Sequence, residues 1–121
     1  MSLDKIVEDI KKRPGFTENV GMIMLHNGVV RGFSRNGHKK VASIQVYANE
    51  LKIGEICQEV GSRKGIFAVT AEASQGLLKP GDNLLLLAVA GDIRENVIPA
   101  FEELLHRVKK DAVEKQEFFE D

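Results

Sequence analysis

"NLLLLAVAGDIRENVIPAFEELLHRVKKD", residues 83–111, decides how this chain folds. Its first part, "LLLLAVA" at 84–90, is an apolar run of strand length, far too short to span a membrane. In its second part Val97, Ile98, Phe101, Leu104, Leu105 and Val108 form one stripe at helical spacing. Pro99 costs a helix little only in its first turn, so the helix is expected to start near Asn96, with Asn96 as its cap. "AGDIRE" is then the turn that joins strand to helix. One buried strand feeding one long amphipathic helix is the seed of a mixed fold.

Upstream, the same reading gives the rest. Leu3, Ile6, Val7 and Ile10 share a helical face, and Pro14-Gly15 stops that helix. "VGMIMLHNGVVRG" (20–32) reads as a strand buried on both faces. The polar loop "SRNGHKK" holds Asn36-Gly37, a hairpin signal, and "KVASIQVYA" (40–48) alternates with a period of two. A first hairpin over 21–47 is expected. Asn49 caps a helix to Val60 whose apolar face is Ile53, Ile56, Cys57 and Val60, and Gly61 ends it. "GIFAVTAEA" (65–73) and "NLLLLAVAG" (83–91) are strands, joined through "GLLKPGD" with its Pro80-Gly81 turn. The predicted order is α-β-β-α-β-β-α: an α+β fold, one mainly antiparallel sheet packed with helices.

Composition bounds the function. A chain of 121 residues is sized for a single domain, 1–121, with its own core. Net charge is −1, which gives no bulk attraction to nucleic acid or to an anionic membrane. The start, "MSLDKIVEDIKKRPGF", breaks its apolar steps with charges and reads neither as a signal peptide nor as a span. A single cysteine, Cys57, excludes an intramolecular disulfide and sits on an apolar face as a core residue. The expected location is the cytoplasm. His26, His38 and His106 show no metal spacing, no nucleophile triad is evident, and no glycine-rich phosphate motif occurs. Neither a metal nor a cofactor is expected.

What remains is local positive charge. Arg94 precedes a helix N-terminus, where free N–H groups and the helix dipole favour an anion; pairing with Glu95 or Asp92 is the competing role. Lys109 and Lys110 end the same helix, with Lys115 beyond; most such runs are solvated faces. Arg31 stands at a strand end beside Gly32, where a ligand has room to approach, whereas Arg35, His38, Lys39 and Lys40 at the loop tip read as solvated. Fifteen residues of helix put Arg94 and Lys109 roughly 20 Å apart, so they share one small anion only across an antiparallel dimer. Lys109 and Lys115 face one pocket only if the helix ends near Lys110–Asp111.

These residues, in this order, resemble the MoaE family, the large catalytic subunit of molybdopterin synthase, over roughly residues 20–117. The matching pieces are "GVVR" (28–31), "GLLKPGD" (76–82), "LAVAGDIR" (87–94) and "VKKDAVEKQE" (108–117). The resemblance implies the α/β hammerhead fold and a sulfurtransferase. A small ubiquitin-like carrier would bring a thiocarboxylate on its C-terminal Gly-Gly, and sulfur would pass to cyclic pyranopterin monophosphate to build the dithiolene of molybdopterin. A homodimer within a heterotetramer is implied, each pocket borrowing residues from the other large subunit. Lys109 matches the catalytic lysine, Lys115 the second lysine, and Arg31 and Arg94 the anion-holding arginines. Ile93 replaces the family's histidine, and the family's Pro-x-Trp segment is absent, which leaves Lys110 as the alternative second lysine. A non-catalytic relative that binds the carrier tail or a phosphorylated pterin is the other function these departures allow.

Overall fold

The computed structural model describes residues 2–121. Eleven segments follow in order: α1 (Leu3–Lys11), α2 (Phe16–Asn19), β1 (Met22–Val29), β2 (Val41–Ala48), α3 (Glu50–Gly61), β3 (Ile66–Ala73), β4 (Gly76–Leu78), β5 (Asn83–Gly91), α4 (Arg94–Arg107), a π-helical turn (Val108–Ala112) and β6 (Val113–Phe119). The strands make two three-stranded antiparallel sheets, β1-β5-β3 and β4-β2-β6. The α+β class and the antiparallel pairing agree with the sequence reading. The single sheet does not.

The run "LLLLAVA" explains the first sheet. In the middle position β5 buries every residue from Leu84 to Gly91, with Leu87, Ala88, Val89 and Ala90 fully enclosed. One face packs on α3 and α4 through Leu85, Leu87, Val89, Val97, Leu104 and Ile56. The other face packs on α1 through Leu86, Ala88, Ala90, Ile6 and Ile10. Ser2 caps α1 by accepting from Lys5 N (3.3 Å). Burying a leucine or isoleucine on either face stabilises by about 1.5–3 kcal/mol.

Three expectations need correction. First, β1 is an edge strand, not one buried on both faces; Leu25 is 40% exposed and Val29 45%. Second, β1 and β2 do not form the hairpin expected over 21–47. β5 takes the pairing edge of β1, and β4 and β6 flank β2, so only the tip closes locally, by the bridge between Phe33 and Lys40. The Asn36-Gly37 turn is present there, with Gly37 at φ 84° and His38 at φ 50°. Third, α4 starts three residues early, with Ile93 at its cap, so Arg94 is its first residue. Asn96 is not the cap. No side chain caps the helix; Asp92, just before it, fixes the entry, its Oδ1 accepting from Ile93 N (2.6 Å) and from Asn96 Nδ2 (2.9 Å). Pro99 therefore sits inside the helix, where its missing N–H leaves the carbonyl of exposed Glu95 to water.

The second sheet contains two strands that the sequence reading lacked. β4 lies within the expected turn and pairs with β2 at Ile44, Gln45 and Val46. β6 occupies the segment read as the helix end and tail, pairing along β2 from Ala48↔Val113 to Val41↔Phe119. On its inner face Val41, Ile44 and Val46 join the main core. Asn49 caps α3 as expected, accepting from Lys52 N (3.0 Å).

Candidate functional site

Sheet ends and one helix end meet at a single place. β1 and β5 run antiparallel, so the Val29↔Asn83 end lies opposite the Met22↔Gly91 end, about 26 Å away at 3.3 Å per residue. From the far end α4 returns along the sheet and delivers its C-terminus to the Val29 end. There the helix stops. Val108 and Ala112 are buried, and the π turn between them reverses the chain into β6. Ala112 O accepts from Asn49 N (2.8 Å), so the start of α3 pins the end of the turn. This break is the one the two-lysine pocket requires.

A cleft of about 360 Å³ results, lined by Gly28, Val29, Arg31, Arg35, Leu84, Leu85, Lys109 and Lys115. A smaller recess beside it shares Arg31 and Lys115 and adds Glu117. Thus β1 supplies the floor, the loop after it supplies Arg31 and Arg35, the π turn supplies Lys109, and β6 supplies Lys115 from opposite Val46. Much of the Lys115 side chain is exposed, yet its amine pKa is lowered from the ordinary 10.5. Burial of the group acts first, then Lys109, Arg31 and Arg35; Glu117 opposes. Four cations converge here with one carboxylate nearby, an arrangement suited to an anion carrying more than one charge. An amine with a lowered pKa also gives up its proton more readily, which suits acid–base or nucleophilic work.

The other predicted site residues lie elsewhere on this chain. Lys110 lines a separate groove of about 440 Å³ with Glu102, Leu105 and His106; Lys109 borders both. Between Lys115 and Lys110, then, Lys115 is the one that shares the cleft with Lys109. Arg94 is at the far end of α4, 77% exposed, paired with Glu95 (Nε–Oε2 3.5 Å). The separation expected from helix length is present. Near Arg94 a larger cleft, about 490 Å³, is lined by Glu18, Asn19, Gly65 and Asp92 among others, with no Lys or Arg in its lining. Its carboxylates make it a poor host for an anion.

Two residues, one lining the cleft and one buried beside its floor, escape sequence reasoning. In the sequence Arg35 reads as a solvated loop residue; only the folding back of 33–40, through Ser34 N donating to Lys39 O (2.8 Å), brings it over the cleft. His26, on β1, was noted only as lacking metal spacing, yet Lys109 is close enough to lower its pKa. Arg31 also stacks over the Phe33 ring, 5.7 Å from its centroid, which steadies the guanidinium. Among the described residues no cluster of His, Cys, Asp and Glu is arranged to hold a metal ion, and no helix is long and apolar enough to cross a membrane.

Comparison with known proteins gives this geometry a context. The model of the family described as MoaE protein matches residues 1–111, a stretch that includes Arg31, Arg94 and Lys109 and stops short of Lys115. A solved molybdopterin synthase from Staphylococcus aureus is 21% identical with a TM-score of 0.81, the alignment covering 100% of this chain and 87% of that one. Molybdopterin cofactor biosynthesis protein E from Burkholderia multivorans is 24% identical with a TM-score of 0.77, over 99% and 82% of the two chains. A complex of subunits 1 and 2 of molybdopterin-converting factor from Helicobacter pylori contains a chain 15% identical with a TM-score of 0.72, over 98% and 80%. Identities this low speak for the fold. Curated protein sequences give no match. The family model, spanning most of the chain, carries the assignment: this chain belongs to the MoaE protein family.

Proposed function

We propose that the chain is the large, catalytic subunit of molybdopterin synthase, moving sulfur from a thiocarboxylated carrier protein to cyclic pyranopterin monophosphate. A role in molybdenum cofactor biosynthesis rests on family membership. The observation that carries the finer reading is the meeting of Arg31, Arg35, Lys109 and Lys115 in one cleft. The proposed substrate bears a phosphate, and the carrier tail ends in an anion. Two negative groups brought together need several cations, and this cleft has them. Arg31 and Arg35 hold the anions by paired N–H donors. Lys109 and Lys115 face the reacting carbonyl and exchange protons with it. Each sulfur delivered leaves the carrier with an ordinary carboxylate, oxygen taking the place of sulfur. The dithiolene needs two sulfurs and so two loaded carriers.

The working unit in this reading is a homodimer flanked by two carriers. The distance from Arg94 to the cleft supports it: Arg94 reaches a cleft of this kind only in a partner chain. The carrier is a small ubiquitin-like subunit whose C-terminal Gly-Gly enters the cleft, and the Helicobacter pylori relative is solved as a two-subunit complex. Turnover is tested with purified protein, thiocarboxylated carrier and cyclic pyranopterin monophosphate, with molybdopterin as the readout. Product supports the assignment. Carrier binding without product favours the second reading, a non-catalytic relative, for which the specific observation is Ile93. That residue is 53% exposed at the cap of α4, beside Arg94, where the family has a histidine.

A further inference from the structure

The inward face of β1 carries a polar side chain in an apolar row. Met22 and Met24 pack into the main core, and His26 continues the alternation. The His26 ring lies 6.4 Å from that of Phe101 on α4, tilted by 56°. Its Nε2 is buried and has no hydrogen-bond partner among the described residues. A buried nitrogen left bare costs about 1–3 kcal/mol, so a partner is called for.

Two features say where that partner comes from. A Cβ built on Gly28 would stand 3.0 Å from His26 Nε2, so only a glycine leaves the nitrogen clear on that side, and Gly28 is itself part of the cleft floor. Lys109, across the same cleft, is the charge that acts on His26. Its side chain has no hydrogen bond or ion pair among the described residues. An unpartnered nitrogen and an unpartnered ammonium border the same floor.

We infer that His26 is a positioning residue for Lys109: its neutral imidazole, protonated on Nδ1, offers Nε2 as an acceptor to the Lys109 ammonium and draws it down beside Gly28. The lysine is then held over the floor instead of ranging along the groove that it also borders toward Lys110. An acceptor without charge suits the place, because a carboxylate there would neutralise the cation the cleft needs. Burial, then the Lys109 charge, lowers the His26 pKa from 6.5 and keeps the ring neutral near pH 7. The inference rests on Lys109 as the working lysine, but its physical test does not need turnover.

The experiment is nitrogen-15 NMR of the histidine rings in the wild-type protein and in Lys109→Gln, whose exposed site leaves the core untouched. At neutral pH the wild-type His26 is expected as the Nδ1–H tautomer with Nε2 bare of its own proton. Its titration is expected below 6.5, moving back toward 6.5 in Lys109→Gln. A proton on Nε2, or a titration indifferent to Lys109→Gln, overturns the proposal. In the sulfur-transfer assay His26→Phe is expected to lower kcat about tenfold with KM little changed, the loss of one hydrogen bond to a charged group, and His26→Gln to recover part of it. Wild-type turnover in His26→Phe also overturns it. A wild-type protein without any turnover defeats the sulfur-transfer assignment, and the NMR result then judges His26 alone.

Discussion

Put Arg94→Met in one chain and Lys109→Ala in another, and mix them. In the structure Arg94 is the first residue of α4 and Lys109 lies just past its end, fifteen positions on. At 1.5 Å per residue they stand about 22 Å apart at opposite ends of the helix, too far for both side chains to converge on one phosphate within a chain. If both serve one reaction, each working site takes Lys109 from one chain and Arg94 from its partner. Each variant alone is then dead. Random re-association gives about half mixed dimers, and in each mixed dimer one site has both residues and the other has neither, so about a quarter of wild-type activity returns. The assay is molybdopterin formation after co-refolding of the two variants at equal concentration, with light scattering to check the dimer. Activity no greater than that of the separate variants, in samples shown to contain mixed dimers, would refute shared sites. Full activity in Arg94→Met alone would remove Arg94 from the chemistry.

Other outcomes follow from single side chains. Lys109→Ala is expected to abolish sulfur transfer while leaving the thermal midpoint within about 2 °C, since the residue is exposed; normal product formation would sink its role. Lys115→Gln removes a cation crowded by Lys109, Arg31 and Arg35, so stability at neutral pH and low salt should rise by about 0.5 kcal/mol, a gain that shrinks in high salt. Leu104→Ala, at a fully buried position between α4 and the sheet, should cost about 2–5 kcal/mol in urea denaturation. As pH falls below 6.5 the unfolded chain takes up a proton on His26 before the folded chain does. The stability that the neutral ring confers is full above 6.5 and drains away as pH drops through its lowered pKa. His26→Phe should lack that part of the acid loss, seen in urea midpoints taken between pH 7 and pH 5.

Periodicity carried most of the fold. The stripe from Val97 to Val108 and the run from Leu84 to Ala90 each have one reading, and a helix and a strand stand there, the helix beginning earlier than read and giving way to the π turn at Val108. The second sheet was hidden for a physical reason. "VEKQEFF" shows no alternation and is exposed along nearly its whole length; it is a strand because β2 has a free edge beside it, and an edge is not written in the segment that fills it. The hairpin error has the same origin, since Asn36-Gly37 specifies a tight turn but not how far the flanking chain stays paired. At the cleft, Arg31 was legible from Gly32 beside it, and Lys109 and Lys115 from the resemblance to the MoaE family. Arg35 and His26 were not, because the partners that give them meaning are distant in sequence.

The π turn makes chain length, more than residue type, the guarded property of 108–112. An extra residue turned into a helix end rotates everything after it by about 100°. Deleting Lys110 or Asp111 would let the helix wind on regularly past Lys109 and shift β6 by one step, which turns Lys115 to the other face of its sheet. One codon lost there would part Lys109 from Lys115 while removing neither. The loop between Phe33 and Lys40 is freer, because its ends are already tied by their own bridge. Natural length variation in this fold should therefore collect at 36–38, past Arg35, and avoid the turn, and a designer seeking room for an insertion should look to that tip.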